Sequence, residues 1–168
     1  MASTSRPPFR HPNLGLAPAD MTAGFPEAAE RLRLQTSSLA VIGLQSALEA
    51  APEMRDRLDD TALRAFLLDA ETFVTRLAMC VGSDDPRWLV EFGEWVTPVF
   101  RRRRISLRDV AALCKGIGRA AAGVLEGDAL ASSDRAIAAV SEVLDRNSRL
   151  AGDTHKRNAL WNWMYRGV

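Results

Sequence analysis

Histidine and cysteine are scarce in this sequence: two of its 168 residues are His and two are Cys. Haem iron in a helical pocket needs an axial ligand, most often histidine. His11 lies in a proline-rich N-terminal stretch and His155 lies at the start of the last predicted helix, so haem binding is not expected. Cys80 and Cys114 occupy apolar positions of predicted helices, which indicates buried, reduced thiols. No cluster of His, Cys and carboxylates has metal-ligand spacing, so no metal site is predicted.

An excess of either charge is also lacking, since 22 Lys and Arg residues balance 21 Asp and Glu residues to a net charge of +1. This balance gives no electrostatic reason to expect binding to nucleic acid or to an anionic membrane. No apolar run approaches the roughly 18 residues of a membrane span, and no charged-then-apolar leader opens the sequence. We therefore expect a soluble, cytoplasmic protein whose length suits one domain with one substantial core.

Motifs of enzymatic chemistry are missing as well. Gly116 and Gly118 lie within a predicted helix, without the strand that a phosphate-binding glycine loop follows. The acid pairs at 59–60 and 84–85 precede predicted helices and are better explained as helix caps than as acid-base pairs. The sequence therefore predicts a protein that is not an enzyme.

Apolar residues at helical spacing are abundant, and the clearest set lies between residues 64 and 82. Their recurrence every three or four residues predicts one buried face of a long helix. We expect this helix to be the central element of the fold. Its apolar positions are Leu63, Phe66, Leu67, Ala70, Phe73, Val74, Leu77 and Val81.

The remaining sequence divides into three parts. Residues 1–24 contain proline and glycine with little periodicity, which predicts an irregular N-terminal arm. Residues 25–150 predict an all-α domain of about six helices without a sheet. Residues 151–168 predict an aromatic C-terminal helix that packs on the domain or on a partner subunit. Its large apolar residues are Leu160, Trp161, Trp163, Met164 and Tyr165.

Several boundaries follow from local signals. The first long helix is expected from Pro26 to about residue 51, with a possible bend at 37–38 or Gly43. Pro98 is expected to kink or end the helix that contains it. The Gly-Asp pair at 127–128 should end the helix that runs through about residue 125, and the next should span about 133–150.

Asp69 is out of place on the central helix, because it falls at the edge of the apolar stripe beside Phe66 and Phe73. A carboxylate there must find a partner or remain close to water. The next helix carries Trp88 and Trp95 on one side, a pattern typical of a core and also of a ligand pocket. The four arginines at 101–104 follow that helix, where cations complement the helix dipole; binding of carboxylates or of an acidic partner is the alternative.

The central segment resembles one known family. Residues 65–71, Ala-Phe-Leu-Leu-Asp-Ala-Glu, followed by an apolar helix and the turn at 82–85, are similar to the central segment of the phycobiliproteins, which are light-harvesting non-haem globins. Residues 46–53 and 127–146 are similar to family segments upstream and downstream. The resemblance covers about residues 40 to 150 in matching order and spacing, and it implies a globin-like fold.

In that family an Ala-Cys-x-Arg-Asp run opens the helix, the Cys carries the bilin thioether and the Asp holds the inner pyrrole nitrogens. Here the family Asp falls on Asp69, the Cys on Phe66 and the Arg on Leu68. The resemblance thus implies a non-covalently bound linear tetrapyrrole such as biliverdin, with Asp69 on its pyrrole N–H groups. Aromatic side chains would form the walls and arginines would meet the propionates. The implied site residues are Asp69, Phe66, Phe73, Arg64, Arg76, Trp88 and Trp95.

Two functions follow as hypotheses. The first is a photosensory or regulatory module, similar to the bilin-binding photoglobin branch thought to work with cobalamin-binding light-sensing proteins. The second is a ligand-free interaction domain, like the non-haem globin domains of bacterial stressosome proteins, whose pocket is filled by its own side chains. A helical cap over cobalamin held by another chain is a weaker third. In either of the first two cases we expect a homodimer.

Overall fold

The computed structural model of this protein describes residues 20–151, which form helices and no strand. The all-α prediction is therefore confirmed for this part of the chain. Most of the predicted N-terminal arm and nearly all of the predicted aromatic C-terminal helix lie outside the described residues. The helices are α1 Pro26–Leu34, α2 Thr36–Ala50, α3 Glu53–Arg57, α4 Asp60–Ser83, α5 Arg87–Arg102, α6 Leu107–Ala121 and α7 Gly127–Ala151.

The central helix of the fold is α4, as predicted. It contacts α1, α2, α5, α6 and α7, and its apolar stripe lies in the middle of the core. Asp59 caps its first turn, because the Asp59 carboxylate accepts a hydrogen bond from the backbone N–H of Ala62 at 2.7 Å. The largest fully buried side chains are Phe66, Phe73, Phe100, Leu32, Met54, Leu77, Leu89, Leu113, Ile117, Leu144, Val74 and Val81.

The predicted first long helix is two helices, with the break at Gln35. The Thr36 hydroxyl donates back to the carbonyl of Arg33 at 2.9 Å, and the Gln35 N–H bonds to the carbonyl of Leu32 at 3.2 Å. These short-range bonds satisfy the last carbonyls of α1 in place of a continuing helical ladder. The chain can therefore change direction at residue 35, earlier than the bend expected at 37–38.

Two other expectations concern the ends of helices. Pro98 does not end α5, which continues to Arg102. Because neighbouring Val96 and Phe100 are buried in the core, their packing compensates for the hydrogen bond that proline cannot donate. The last described helix begins at Gly127, which has a φ of +56°, rather than near residue 133. The left-handed glycine turns the chain and the helix starts at once.

Helices α2 and α6 pack with almost no side chain between them at one point. A Cβ atom built on Gly116 would lie 2.1 Å from the carbonyl oxygen of Gly43, and one on Gly43 would lie 2.8 Å from Cγ1 of Ile117. Only glycine permits backbones to approach this closely.

Both cysteines are buried and carry free thiols, as expected. Burial raises the pKa of the Cys80 thiol to about 12, and it also raises the pKa of Cys114. Neither side chain is therefore a thiolate at neutral pH.

Candidate functional site

The site lies on the hairpin formed by α4 and α5, whose turn is fixed by two acids. Asp84 adopts left-handed backbone angles, and its carboxylate accepts hydrogen bonds from the Ser132 hydroxyl and the Arg135 guanidinium of α7, each at 2.6 Å. Asp85 accepts bonds from the backbone N–H of Arg87 at 3.0 Å and from its Nε at 2.6 Å. These contacts end α4, start α5 and attach the turn to α7.

Below the surface, α4 and α5 are held together by pairs of phenylalanine rings. Phe66 meets Phe100 edge to face, with ring centroids 6.0 Å apart, and Phe73 meets Phe92 in the same way at 5.0 Å. Because residue 66 pairs with 100 and residue 73 with 92, the helices run antiparallel. Phe66 is 0% exposed and Phe73 is 2% exposed, so these two residues, implied as walls of a ligand site, pack within the protein's own core.

Above this layer lies a groove of about 300 Å³, here called the aromatic groove, lined by Arg76, Trp88, Glu91, Phe92 and Trp95. Trp95 is 67% exposed, and its ring stacks on Phe92 with centroids 6.0 Å apart and planes inclined by 26°. The Arg76 guanidinium carbon lies 5.4 Å from the centroid of the Phe92 ring. The groove thus presents flat aromatic faces with one cation and one carboxylate beside them.

The indole of Trp88 is fixed from behind. Its Nε1–H donates to the hydroxyl of Ser83 at 3.2 Å, and Ser83 in turn donates to the carbonyl of Met79 at 2.8 Å. Since a buried indole N–H needs a partner, this chain of bonds orients the ring at the end of the groove nearest the turn.

Asp69 has a partner within the protein. One of its carboxylate oxygens accepts a hydrogen bond from the Arg103 guanidinium at 2.7 Å, and both side chains are partly exposed. Burial raises the pKa of Asp69 above its usual range, and the hydrogen bond from Arg103 offsets part of that change. Asp69 lies seven residues before Arg76, about 10 Å along the helix axis, and it is not among the lining residues of the aromatic groove.

The structure therefore separates the implied site residues into groups. Arg76, Trp88 and Trp95 come together on one groove, whereas Arg64 is exposed and lies about 18 Å from Arg76 along the axis of α4. Phe92 completes the groove and was absent from the implied set, although its position four residues after Trp88 placed it on the same helix face.

The four arginines at 101–104 are divided between different contacts. Arg101 donates to the backbone carbonyl of Asn147 in α7 at 2.9 Å, while Arg103 pairs with Asp69 of α4 and lies over the ring of Phe100, 5.5 Å from its centroid. Two members of this run thus join the end of α5 to its neighbours. The Arg103 contact was beyond sequence reasoning, because no local pattern indicates which acid an arginine will meet 34 residues away.

Other kinds of site were sought in the same part of the chain. Residues 20–151 contain no group of three or more His, Cys, Asp or Glu side chains able to hold a metal ion. None of the described helices is both long and apolar enough to span a membrane. Comparisons with protein-family models, with curated proteins and with solved structures found no match.

Proposed function

We propose that this protein is a non-enzymatic, globin-like helical domain that binds a linear tetrapyrrole such as biliverdin without a covalent bond and acts as a photosensory or regulatory module. The observation that carries this proposal is the convergence of Arg76, Trp88 and Trp95 with Phe92 on one aromatic groove. All but Phe92 belong to the set implied by the resemblance of the α4 sequence to phycobiliproteins.

The chemistry of the groove suits a flat, conjugated ligand that carries carboxylates. Trp95 and Phe92 present nearly parallel rings on which a pyrrole can stack, and the Arg76 guanidinium lies beside them to meet a propionate. Ligand pockets commonly measure about 300–1,000 Å³, so a groove of about 300 Å³ is at the small end of that range. A tetrapyrrole would therefore be partly buried in the groove and partly exposed.

Asp69 and Arg103 would exchange partners when the ligand binds. In the ligand-free protein they satisfy each other. A tetrapyrrole that extends beyond the lining of the aromatic groove would offer pyrrole N–H groups to Asp69 and a carboxylate to Arg103, so both charges would remain paired after the exchange. A partly exposed ion pair contributes about 0–1 kcal/mol, and breaking it costs little compared with the burial of aromatic surface.

Non-covalent binding fits the absence of a reactive thiol on this face. Phe66 occupies the position that the resemblance assigns to the attachment cysteine. Cys80 is buried and its pKa is raised to about 12, so it is not a ready nucleophile.

The proposal is tested by titrating the protein with biliverdin and following the visible absorbance. We expect a sharpened, red-shifted band with the native protein, a weaker one with Asp69→Asn, and at least about tenfold weaker binding with Trp95→Ala, since stacking on one aromatic contributes about 1–3 kcal/mol. Leu68→Ala is the matched control, because Leu68 is 65% exposed on α4 and does not line the groove. A biliverdin spectrum that stays unchanged with the native protein would exclude this function.

A second function, that of a ligand-free interaction domain, is favoured by a different observation. Phe66 and Phe73 are covered by Phe100 and Phe92, so side chains of the protein itself fill the layer between α4 and α5. Trp95 is then an exposed anchor for another protein, either a second copy in a homodimer or a signalling partner such as a cobalamin-binding protein.

Because a homodimer is expected in either case, analytical ultracentrifugation separates the two functions only together with the biliverdin titration. If the interaction domain is correct, the protein without ligand sediments as a dimer at micromolar concentration and Trp95→Ala sediments as a monomer, while Leu68→Ala resembles the native protein. A monomer that binds biliverdin supports the first function, and a Trp95-dependent dimer that ignores biliverdin supports the second.

A further inference from the structure

A second groove, of about 320 Å³, lies on another face of the molecule, where the end of α2 meets α6 and α7. Its charged lining consists of Arg108, Lys115 and Arg119 from α6 and Asp145 from α7. We call it the cationic groove. The rest of its lining is small: Ala50, Ala51, Ala111 and Ala112.

The three cations share one face of α6. They are spaced by seven and then four residues, which at 3.6 residues per turn brings them close to one line along the helix. Among the described lining residues, Lys115 and Arg119 already outnumber the one carboxylate, that of Asp145, in a chain whose overall net charge is only +1. This local excess attracts anions.

The guanidinium of Arg119 is held in place. Its Nε donates to the Ser46 hydroxyl at 2.6 Å and its Nη2 donates to the Ser46 carbonyl at 3.0 Å. That carbonyl lies near the C-terminal end of α2, where the helix dipole is negative, so part of the charge of Arg119 serves to neutralise it. Lys115 differs, because the ion pairs found among the described residues do not include it.

The alanines determine which kind of anion fits. Four alanines leave the space open, and the described lining residues include no aromatic ring that would offer a surface for a nucleobase or another flat ligand. Guanidinium and ammonium groups together suit the oxygens of a phosphate, and the Asp145 carboxylate can accept a hydrogen bond from a hydroxyl group of the same ligand.

We propose that the cationic groove binds phosphate, either as the free ion or as the phosphate group of a small hydroxylated molecule. Lys115 and Arg119 contact its oxygens, Arg108 adds charge at one end, and Asp145 accepts from a hydroxyl. This site is on different elements from the aromatic groove and does not depend on the function proposed for it.

The test is a titration of the native protein with inorganic phosphate, and separately with glycerol phosphate, at constant ionic strength, followed by backbone amide NMR. We expect saturable shifts confined to residues near 50–51, 108–119 and 145. Lys115→Gln should weaken binding about tenfold, because it removes one charge-assisted hydrogen bond. Asp145→Asn should tighten binding of inorganic phosphate, because it removes the one carboxylate found among the described residues that line the groove.

Arg31→Gln is the matched control, since Arg31 is an exposed cation at the end of α1, outside the groove. It should leave binding unchanged. Tighter binding of glycerol phosphate than of the free ion would identify a phosphate ester as the ligand, and equal binding would identify the ion itself. Shifts that do not saturate, or equal weakening by Lys115→Gln and Arg31→Gln, would overturn the proposal.

Discussion

The α4–α5 hairpin and the α2–α6 pair both pack around the same core, but the contacts between the two helices differ in kind. Between α4 and α5 the contact is made by large rings, with Phe73 against Phe92 inside and Trp95 stacked outside. Between α2 and α6 the backbones almost touch, because Gly116 faces the carbonyl oxygen of Gly43. Packing through side chains leaves a groove at the surface that can accept a ligand or a partner. Packing through backbone leaves no space at the point of contact and tolerates no added atom there; the cationic groove opens beyond it, where α2 ends.

The largest expected effect is a difference in stability between substitution of the inner ring, Phe73, and substitution of the outer ring, Trp95. Phe73→Ala should reduce the free energy of unfolding by about 3–5 kcal/mol, since it opens a cavity in the core. Trp95→Ala should change it by no more than about 0.5 kcal/mol, because the ring is mostly exposed. Urea unfolding of both variants measures the difference. Comparable losses would mean that Trp95 supports the fold and that the aromatic groove is not a free surface.

The next effect concerns the glycine contact. Gly116→Ala should lower the free energy of unfolding by about 2–3 kcal/mol. The new Cβ would clash with a backbone oxygen, which can move away only if α2 moves. Gly118→Ala is the matched control: its Cβ would lie 3.3 Å from Cγ1 of Ile137, a side-chain atom that can shift. Alanine also has a helix propensity better than that of glycine by about 1 kcal/mol, so this variant should remain within about 1 kcal/mol of the native protein. Equal thermal midpoints for the two variants would contradict the close packing.

The smallest effect compares two carboxylates of the hairpin, Asp69 and Asp84, whose pKa values shift in opposite directions. Hydrogen bonds from Ser132 and Arg135 lower the pKa of Asp84 below its ordinary value of 3.8. Its ionised form therefore stabilises the fold above that pH, and this contribution is lost as the pH falls through the folded-state pKa. Burial raises the pKa of Asp69, so its contribution is present at low pH and is lost as the pH rises through the folded-state value.

Substitution by asparagine should reveal this opposition. Asp84→Asn should lower stability at pH 7 by less than about 1 kcal/mol, because the carboxylate is well exposed, and the difference should shrink toward pH 3. Asp69→Asn should show the reverse trend. Its free energy of unfolding, relative to that of the native protein, should be higher at pH 7 than at pH 3. Urea unfolding at both pH values measures the two differences. Parallel pH profiles for the two variants would refute the opposite shifts.

Local signals in the sequence predicted local structure well. The apolar spacing between residues 64 and 82 predicted α4, and Asp59 caps α4 where an acid before the helix was expected to do so. The same reasoning placed the helix after Gly127 too late. It treated the glycine only as the end of one helix, whereas its left-handed backbone also begins the next.

The candidate site was only partly predictable. Trp88 and Trp95 share a helix face, so their meeting on one groove follows from spacing within α5. The burial of Phe66 and Phe73 under rings of α5 depends instead on how two helices pack. The partner of Asp69 likewise depends on the antiparallel return of α5, which brings Arg103 beside it.

By itself, the sequence determined the helical character of the described residues, a long apolar central helix with a capped start, and two buried thiols, because each of these depends on residues within a few turns of one another. Only the tertiary structure decided that α2 and α6 meet at Gly43 and Gly116, that Arg103 meets Asp69, and that Arg76 joins the tryptophans of α5. These contacts join residues from different helices. Their partners are selected by the packing of the whole core, which no pattern within a single helix specifies.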